Sequence, residues 1–442
     1  MKRALTKMTP VPAMALVMLA MAACSPKEAI LKGERVSVLP AVTVQQADAE
    51  AAAQGAELPP VVAVPNARSV GLNPGHAGGH PQLEAALAKA WSVSIGGSGS
   101  DLVELPTPVV ADGKVVTVTP DGIVSAFDVT NGASLWSTSI ESFVDDPLPG
   151  IGGGIAISKD VVMVHAGGHV LAALSLDDGA LQWSVTNALP LRGGPTVIDD
   201  RAVAVTDLDG NIQSWRITSG ESLWDYAGLG AATVLFGAPA PAYADGELVV
   251  AGSGGEISIF DAFNGELYWT DSVVSYNPRT PIEGIGDIRA HPIHDGGLIF
   301  AISQSGQLAA FSVRTGLPVW TQAIGGIEMP WLAGKTLFVV ALDGRLYALR
   351  RSDGMVRWVA EMPGALPAGV VVSEKPTRYV GPIVAGNRVI VIGTGGSMLS
   401  YNADTGVLID EVNVGGRIVT APQIAGGRLF VLANDGTLTA FK

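Results

Sequence analysis

One short frame recurs eight times along this 442-residue chain, and it leaves few folds open. Asp121-Gly122-Ile123-Val124-Ser125-Ala126-Phe127-Asp128 leads into Asn131-Gly132 and then Trp136. Later copies start at Gly168, Asp209, Gly254, Ser305, Asp343 and Gly395, and in all seven complete copies the second turn glycine follows the start by 11 residues. An eighth copy, 435–441, stops just short of Lys442. A glycine turn, an alternating run and then Asn-Gly, Asp-Gly, Ser-Gly or Thr-Gly describe strand, tight hairpin, strand. Upstream of each copy lies another pair of short strands, such as 108–110 with 114–119. Four strands per unit, with successive Trp residues 38 to 51 apart, is the signature of a propeller blade. No long apolar stripe of helical period is present to supply the crossovers of an α/β barrel.

The two ends complement each other. The eighth copy lacks its hairpin and Trp strand, while Ala90-Trp91-Ser92-Val93-Ser94-Ile95 resembles Leu135-Trp136-Ser137-Thr138-Ser139-Ile140. The expected fold is therefore all-β: a single eight-bladed β-propeller of four-stranded blades over 86–442, closed by an N-terminal strand that completes the C-terminal blade. Closure of that kind removes exposed strand edges. Trp91, Trp136, Trp183, Trp224, Trp269, Trp320 and Trp358 read as packing between adjacent blades, since a large apolar residue at a fixed frame belongs to a core. The seventh copy has Asp410 where Trp is expected.

Composition narrows the functional classes. Asp and Glu number 41 against 27 Lys and Arg, so no basic stripe for nucleic acid is available. A single cysteine, Cys24, excludes an intrachain disulfide and any multi-cysteine zinc site. Lys2, Arg3 and Lys7 precede an apolar run at 11–23, broken at Pro12 and too short for a membrane span. That run ends in Met21-Ala22-Ala23-Cys24, which resembles a bacterial lipobox. Residues 1–23 are expected to be a lipoprotein signal peptide and Cys24 the lipidated residue, with acyl chains as the membrane anchor. Removing 1–23 takes three positive charges and no acid, moving the net charge from −14 to −17. Ser25 after the cysteine resembles the pattern of outer-membrane lipoproteins.

Residues 24–85 read as a flexible tether, with one short helix near 45–54. His76 and His80 lie among glycines and read as solvated linker residues. Asp145-Asp146, Asp177-Asp178 and Asp199-Asp200 fall at blade turns, where Asp is favoured. His165/His169 and His291/His294 are the remaining metal-like spacings. His165 and His169 straddle a hairpin, and no calcium-loop carboxylate pattern accompanies any of these pairs. No metal and no cofactor are expected.

Ala126-x-Asp128-x-x-Asn131-Gly132-x-x-x-Trp136 resembles the tryptophan-docking motif of the quinoprotein (PQQ) propellers. That family contains dehydrogenases, so a periplasmic quinone-dependent dehydrogenase is one functional expectation. Such enzymes carry a vicinal disulfide and a calcium site, neither of which this sequence provides for. A lipid-anchored, non-catalytic propeller of this type resembles the BamB family, lipoproteins of the β-barrel assembly machinery. That resemblance implies a scaffold on the periplasmic face of the outer membrane, docked on a POTRA domain of the barrel-forming subunit BamA and serving unfolded outer-membrane protein clients. The family's partner-binding loop signature, Leu-x-Leu-Arg, matches Leu189-Pro190-Leu191-Arg192. Its second loop, Asp-x-Asp, matches Asp287-Ile288-Arg289, with Arg289 in place of the second acid. Read from the residues alone, Leu189, Leu191 and Arg192 form either an exposed apolar tip beside a cation, as interface hot spots favour, or a segment whose leucines fold back into a blade.

Overall fold

Each of the seven complete copies of the frame forms the outer two strands of a four-stranded antiparallel sheet, and the described residues hold eight such sheets. The computed structural model describes residues 44–100, 103–140, 153–228, 230, 239–274, 286–365 and 377–442. The signal peptide, Cys24 and the first part of the expected tether lie outside the described residues. The first strand, β1 (Lys89–Ser94), pairs antiparallel with the last, β32 (Thr437–Phe441), Ser92 facing Thr439 and Val93 facing Leu438. The eighth blade is thus assembled from both ends of the sequence, as its unfinished repeat predicts.

Strand burial grades outward from the axis. The innermost strands, such as β2 (Val109–Ala111), β6 (Gly154–Ser158) and β26 (Tyr379–Ala385), are buried at every position. The outermost strands are largely solvent-facing. In β5 (Ser134–Ser139) only Trp136 is buried, which is why that strand reads as polar with a single large apolar residue.

The repeat's frame follows from the blade junctions. Asp128 Oδ1 accepts from the backbone of Thr130 at 2.8 Å and of Asn131 at 3.1 Å, and Asn131 Oδ1 accepts from Ala133 N at 2.8 Å. This fixes the hairpin and places Gly132 in the left-handed region, φ +73°. The ring of Trp91, from the preceding blade, rests on that glycine. Its indole Nε1 donates to Val129 O at 3.2 Å. The same pairing recurs as Trp136 on Gly179, Trp183 on Gly220, Trp224 on Gly265, Trp269 on Gly316, Trp320 on Gly354 and Trp358 on Gly406. Each indole donates to a carbonyl of the next blade. The expected docking tryptophans all serve one junction each.

The eighth junction is different for a physical reason. Blade 7 would have to place a Trp on the blade 8 hairpin, but β32 and β1 come from opposite ends of the sequence and no glycine hairpin joins them. Asp410 stands there instead, exposed, with its charge toward the buried Arg388. Arg388 donates to the carbonyls of Ala85, at 2.6 Å, and Glu84. Lys442 and Ala88 complete the seam with a reciprocal backbone pair at 2.9 and 3.0 Å.

The tether expectation requires correction. Residues 44–85 pack on the blades as a cord. Helix α1 (Ala49–Ala53) is capped by Asp48, whose Oδ1 accepts from Ala51 N at 2.9 Å. It lies on β25 (Val356–Glu361), and the helix is shorter than the 45–54 expected. His76 and His80 are buried rather than solvated. His76 Nδ1 bonds Pro292 O and His80 Nδ1 bonds Pro59 O, each at 2.8 Å. Glycines around them allow the close approach: an added Cβ at Gly78 would lie 2.3 Å from the Trp331 ring.

Candidate functional site at the axial mouth

Segments of all eight blades and two cord residues, Val70 and Gly71, line a cavity of about 170 Å3 on the axis. Of the residues singled out in the sequence, Leu191, Arg192 and Arg289 line this cavity, and Asp287 adjoins it through Arg192.

Leu189 and Pro190 are half-buried in the approach to β10 (Leu191–Ile198). Leu191 opens that strand and is only 1% exposed, packed with Met163, Leu171, Val203 and Val205. The exposed-tip reading therefore does not hold for Leu191; of the two alternatives, folding back into the blade core is what its side chain does. Leu189 alone of the pair is positioned near the surface.

Arg192 follows on the same strand and is 8% exposed. Its Nη1 donates to Ser253 Oγ, its Nη2 lies 3.8 Å from Asp287 Oδ2, and its backbone carbonyl accepts from Thr206 Oγ1 at 2.9 Å. Burial pushes its pKa below the ordinary arginine value while the Asp287 charge holds it up. Asp287 is 1% exposed, so the two charges leave water together, and removing one would strand the other.

Arg289, two residues on, reaches a different partner. It pairs with Glu104, which also accepts from Arg378 Nη2 at 2.8 Å. The acid that the family motif would carry at 289 is thus replaced by a base, and Glu104, from the segment before β2, supplies the opposite charge. Glu328 faces the same two guanidinium groups. Burial pushes its carboxyl up to about 7, with Arg289 and Arg378 pulling the other way. Glu104, Ser253, Glu328 and Arg378 stand in no sequence motif, and only the ring closure brings them together.

The histidines do not assemble. His165 bonds Gly193 O through Nε2 and accepts from Gly167 N through Nδ1, whereas His169 Nδ1 bonds Asn187 O. His291 Nδ1 accepts from Ala240 N, and His294 Nε2 bonds Glu247. Among the described residues no group of three or more His, Cys, Asp or Glu is placed to hold a metal ion. Asp177, Asp178, Asp199 and Asp200 all sit at blade turns, the last two with positive φ. Asp145-Asp146 lies outside the described residues.

The sequence profile described as outer membrane protein assembly factor BamB matches residues 120–360 and 369–442. The chain belongs to the BamB family. Among similar proteins, the outer membrane protein assembly factor BamB of Shewanella oneidensis is 26% identical over 359 residues, covering 79% of this chain and 87% of the relative. That of Escherichia coli K12 is 25% identical over 355 residues, with the same two coverages. In structure, BamB from Moraxella catarrhalis superposes with a TM-score of 0.66 at 23% identity, covering 81% of this chain and all of that one. The quinohemoprotein alcohol dehydrogenase of Comamonas testosteroni superposes with a TM-score of 0.65 at 15% identity, covering 89% and 84%. At such identities these superpositions show a shared propeller and nothing about chemistry. BamB membership, carried by the sequence match, separates this chain from the dehydrogenases that share its ring.

Proposed function

We propose that this BamB-family chain is a non-catalytic scaffold for assembly of outer-membrane β-barrel proteins. It docks on the POTRA region of a BamA-type barrel-forming subunit through the axial mouth and helps deliver unfolded clients. The observation that carries this reading is the family match across most of the propeller, together with a mouth whose charges pair among themselves. Leu189, the only leucine of its motif near the surface, supplies the apolar contact. Arg192 and Asp287 set the shape of the loop, and Arg289, paired with Glu104, shapes the wall of the cavity beside it. The lipobox-like Met21-Ala22-Ala23-Cys24 supports an anchor at Cys24 that holds the propeller at the periplasmic face of the outer membrane.

Co-purification with the barrel-forming subunit tests the reading. The wild-type chain is expected to retain it, and a Leu189→Ala/Arg289→Glu double variant, checked for an unchanged melting temperature, is expected to lose it. Failure of the wild-type chain to co-purify would refute the scaffold role. Retention by the double variant would refute the assigned residues.

A further inference from the structure

Residues 44–88 follow a course that no repeat dictates. The cord is clamped first at blades 6 and 7. Asp48 N donates to Val356 O at 2.8 Å, and the fully buried Arg357 donates to the carbonyls of Ala51 and Gly55 and pairs with Glu57 at 2.9 Å. Ala56 N donates to Asp404 Oδ1 at 2.8 Å, and Ala56 O accepts from Thr336.

Beyond the clamp the cord travels once round the axis in blade order. Val64 O accepts from Gly426 of blade 8, and Ala67 exchanges two backbone bonds with Val110 of blade 1. Arg68 O accepts from Ile157 of blade 2, Pro74 O from Tyr243 of blade 4 and Gly75 O from His294 of blade 5. Gly79 bonds Leu332 and Trp331 of blade 6, and Pro81 O accepts from Gly386 of blade 7. The circuit ends at Ala88, paired with Lys442 in blade 8, where β1 begins.

We propose that residues 48–88 are a ring lock: a cord that carries any pull on the N-terminal side of the chain into blades 6 and 7, so that it never reaches the strand that closes the propeller. Without the clamp and the ties that follow it, tension would run straight into β1 and peel it from β32, opening the seam that holds eight blades together. With it, the pull must first break a buried guanidinium network and then a series of ties spread over seven blades. The lock serves the anchored protein proposed above, but its test loads the chain directly and needs no lipid.

The experiment is single-molecule pulling on the full chain carrying Cys24→Ser, with handles at Val44→Cys and Lys442→Cys. In this chain the cord is expected to stay bound until the ring itself opens, with no earlier extension. In the same chain with Arg357→Ala, an early low-force step is expected as 48–57 pulls free, on the order of 35 Å at roughly 3.5 Å per extended residue. The same early step at the same force without the substitution would overturn the proposal. Should Arg357→Ala fail to fold, hydrogen exchange on the wild-type chain decides. Amides of Val62, Ala67, Gly79 and Gln82, each bonded to a backbone carbonyl, are expected to exchange as slowly as inner-strand amides. Exchange at the rate of an unstructured peptide would overturn it.

Discussion

Gly132 lies beneath the indole of Trp91, so close that a Cβ at that glycine would sit 2.7 Å from the ring's Cε3. The contact joins blade 8 to blade 1, and six further Trp–Gly pairs repeat it round the propeller. Gly132→Ala therefore meets two obstacles. A left-handed φ costs an alanine about 1 kcal/mol, and the displaced ring adds roughly 1–3 kcal/mol of overpacking. A loss of about 2–4 kcal/mol is expected in urea unfolding, against about 1 kcal/mol for an alanine at Gly113, whose Cβ would meet no atom within 4 Å but which shares the positive φ and so loses only the backbone part.

Asp410 permits a contrasting test at the one junction with no hairpin to receive an indole. Asp410→Trp is expected to leave stability unchanged or to lower it slightly, because the ring would find no glycine bed and Arg388 would lose a neighbouring charge. Trp136→Asp, at an ordinary junction, removes a buried ring and its bond to Leu176 O and should cost at least about 3–5 kcal/mol. Equal effects in thermal melts would refute the account of the seam.

Leu191→Ala should behave as a core truncation, destabilising by about 2–5 kcal/mol, while Leu189→Ala should change stability by less than about 1 kcal/mol. Unfolding curves of the two variants separate core from contact residue before any binding is measured.

Stability should fall in mild acid. Burial holds His76 and His165 neutral, pushed down to about 4, and His291 to about 3. Unfolded, each titrates near 6.5, as model histidines do. Below pH 6.5 the unfolded state binds more protons, so stability is full above that pH and declines toward about pH 4, by up to about 1.4 kcal/mol per histidine per pH unit. Glu328 acts oppositely. Its folded value of about 7 lies above its unfolded one, so the cost of its charge is relieved as pH falls from about 7 to about 4.5. Melting temperature is expected to drop between pH 6.5 and 4.5, less steeply in His165→Gln and more steeply in Glu328→Gln.

What the sequence made legible was whatever repeats. The glycine hairpin, Asp-x-x-Asn-Gly in its fullest form, and the Trp that packs on it are local devices used seven times, so blade number, strand order and ring closure could all be read. The cord was not legible, because Gly75, His76 and Pro81 take their order from strand edges far away in sequence and show no period of their own. His76 and His80 looked solvated for the same reason: their partners are backbone carbonyls, Pro292 O and Pro59 O, which no motif advertises. Leu191 was ambiguous because Leu-Pro-Leu suits a loop tip as well as a strand entry, and only the packing of Met163 and Val205 around it decides. Glu104 and Arg378, separated by most of the propeller, meet only once the ring is closed.

The rung between Lys442 and Ala88 has a topological corollary. A two-residue Asn-Gly bridge across it would give blade 8 the hairpin its seven neighbours already have. The backbone of the propeller would then be a continuous circle, and new chain ends could be cut at any other blade's turn. Circular permutants of this kind would leave the cord as a detachable strand, so its energetic share could be weighed apart from that of the ring.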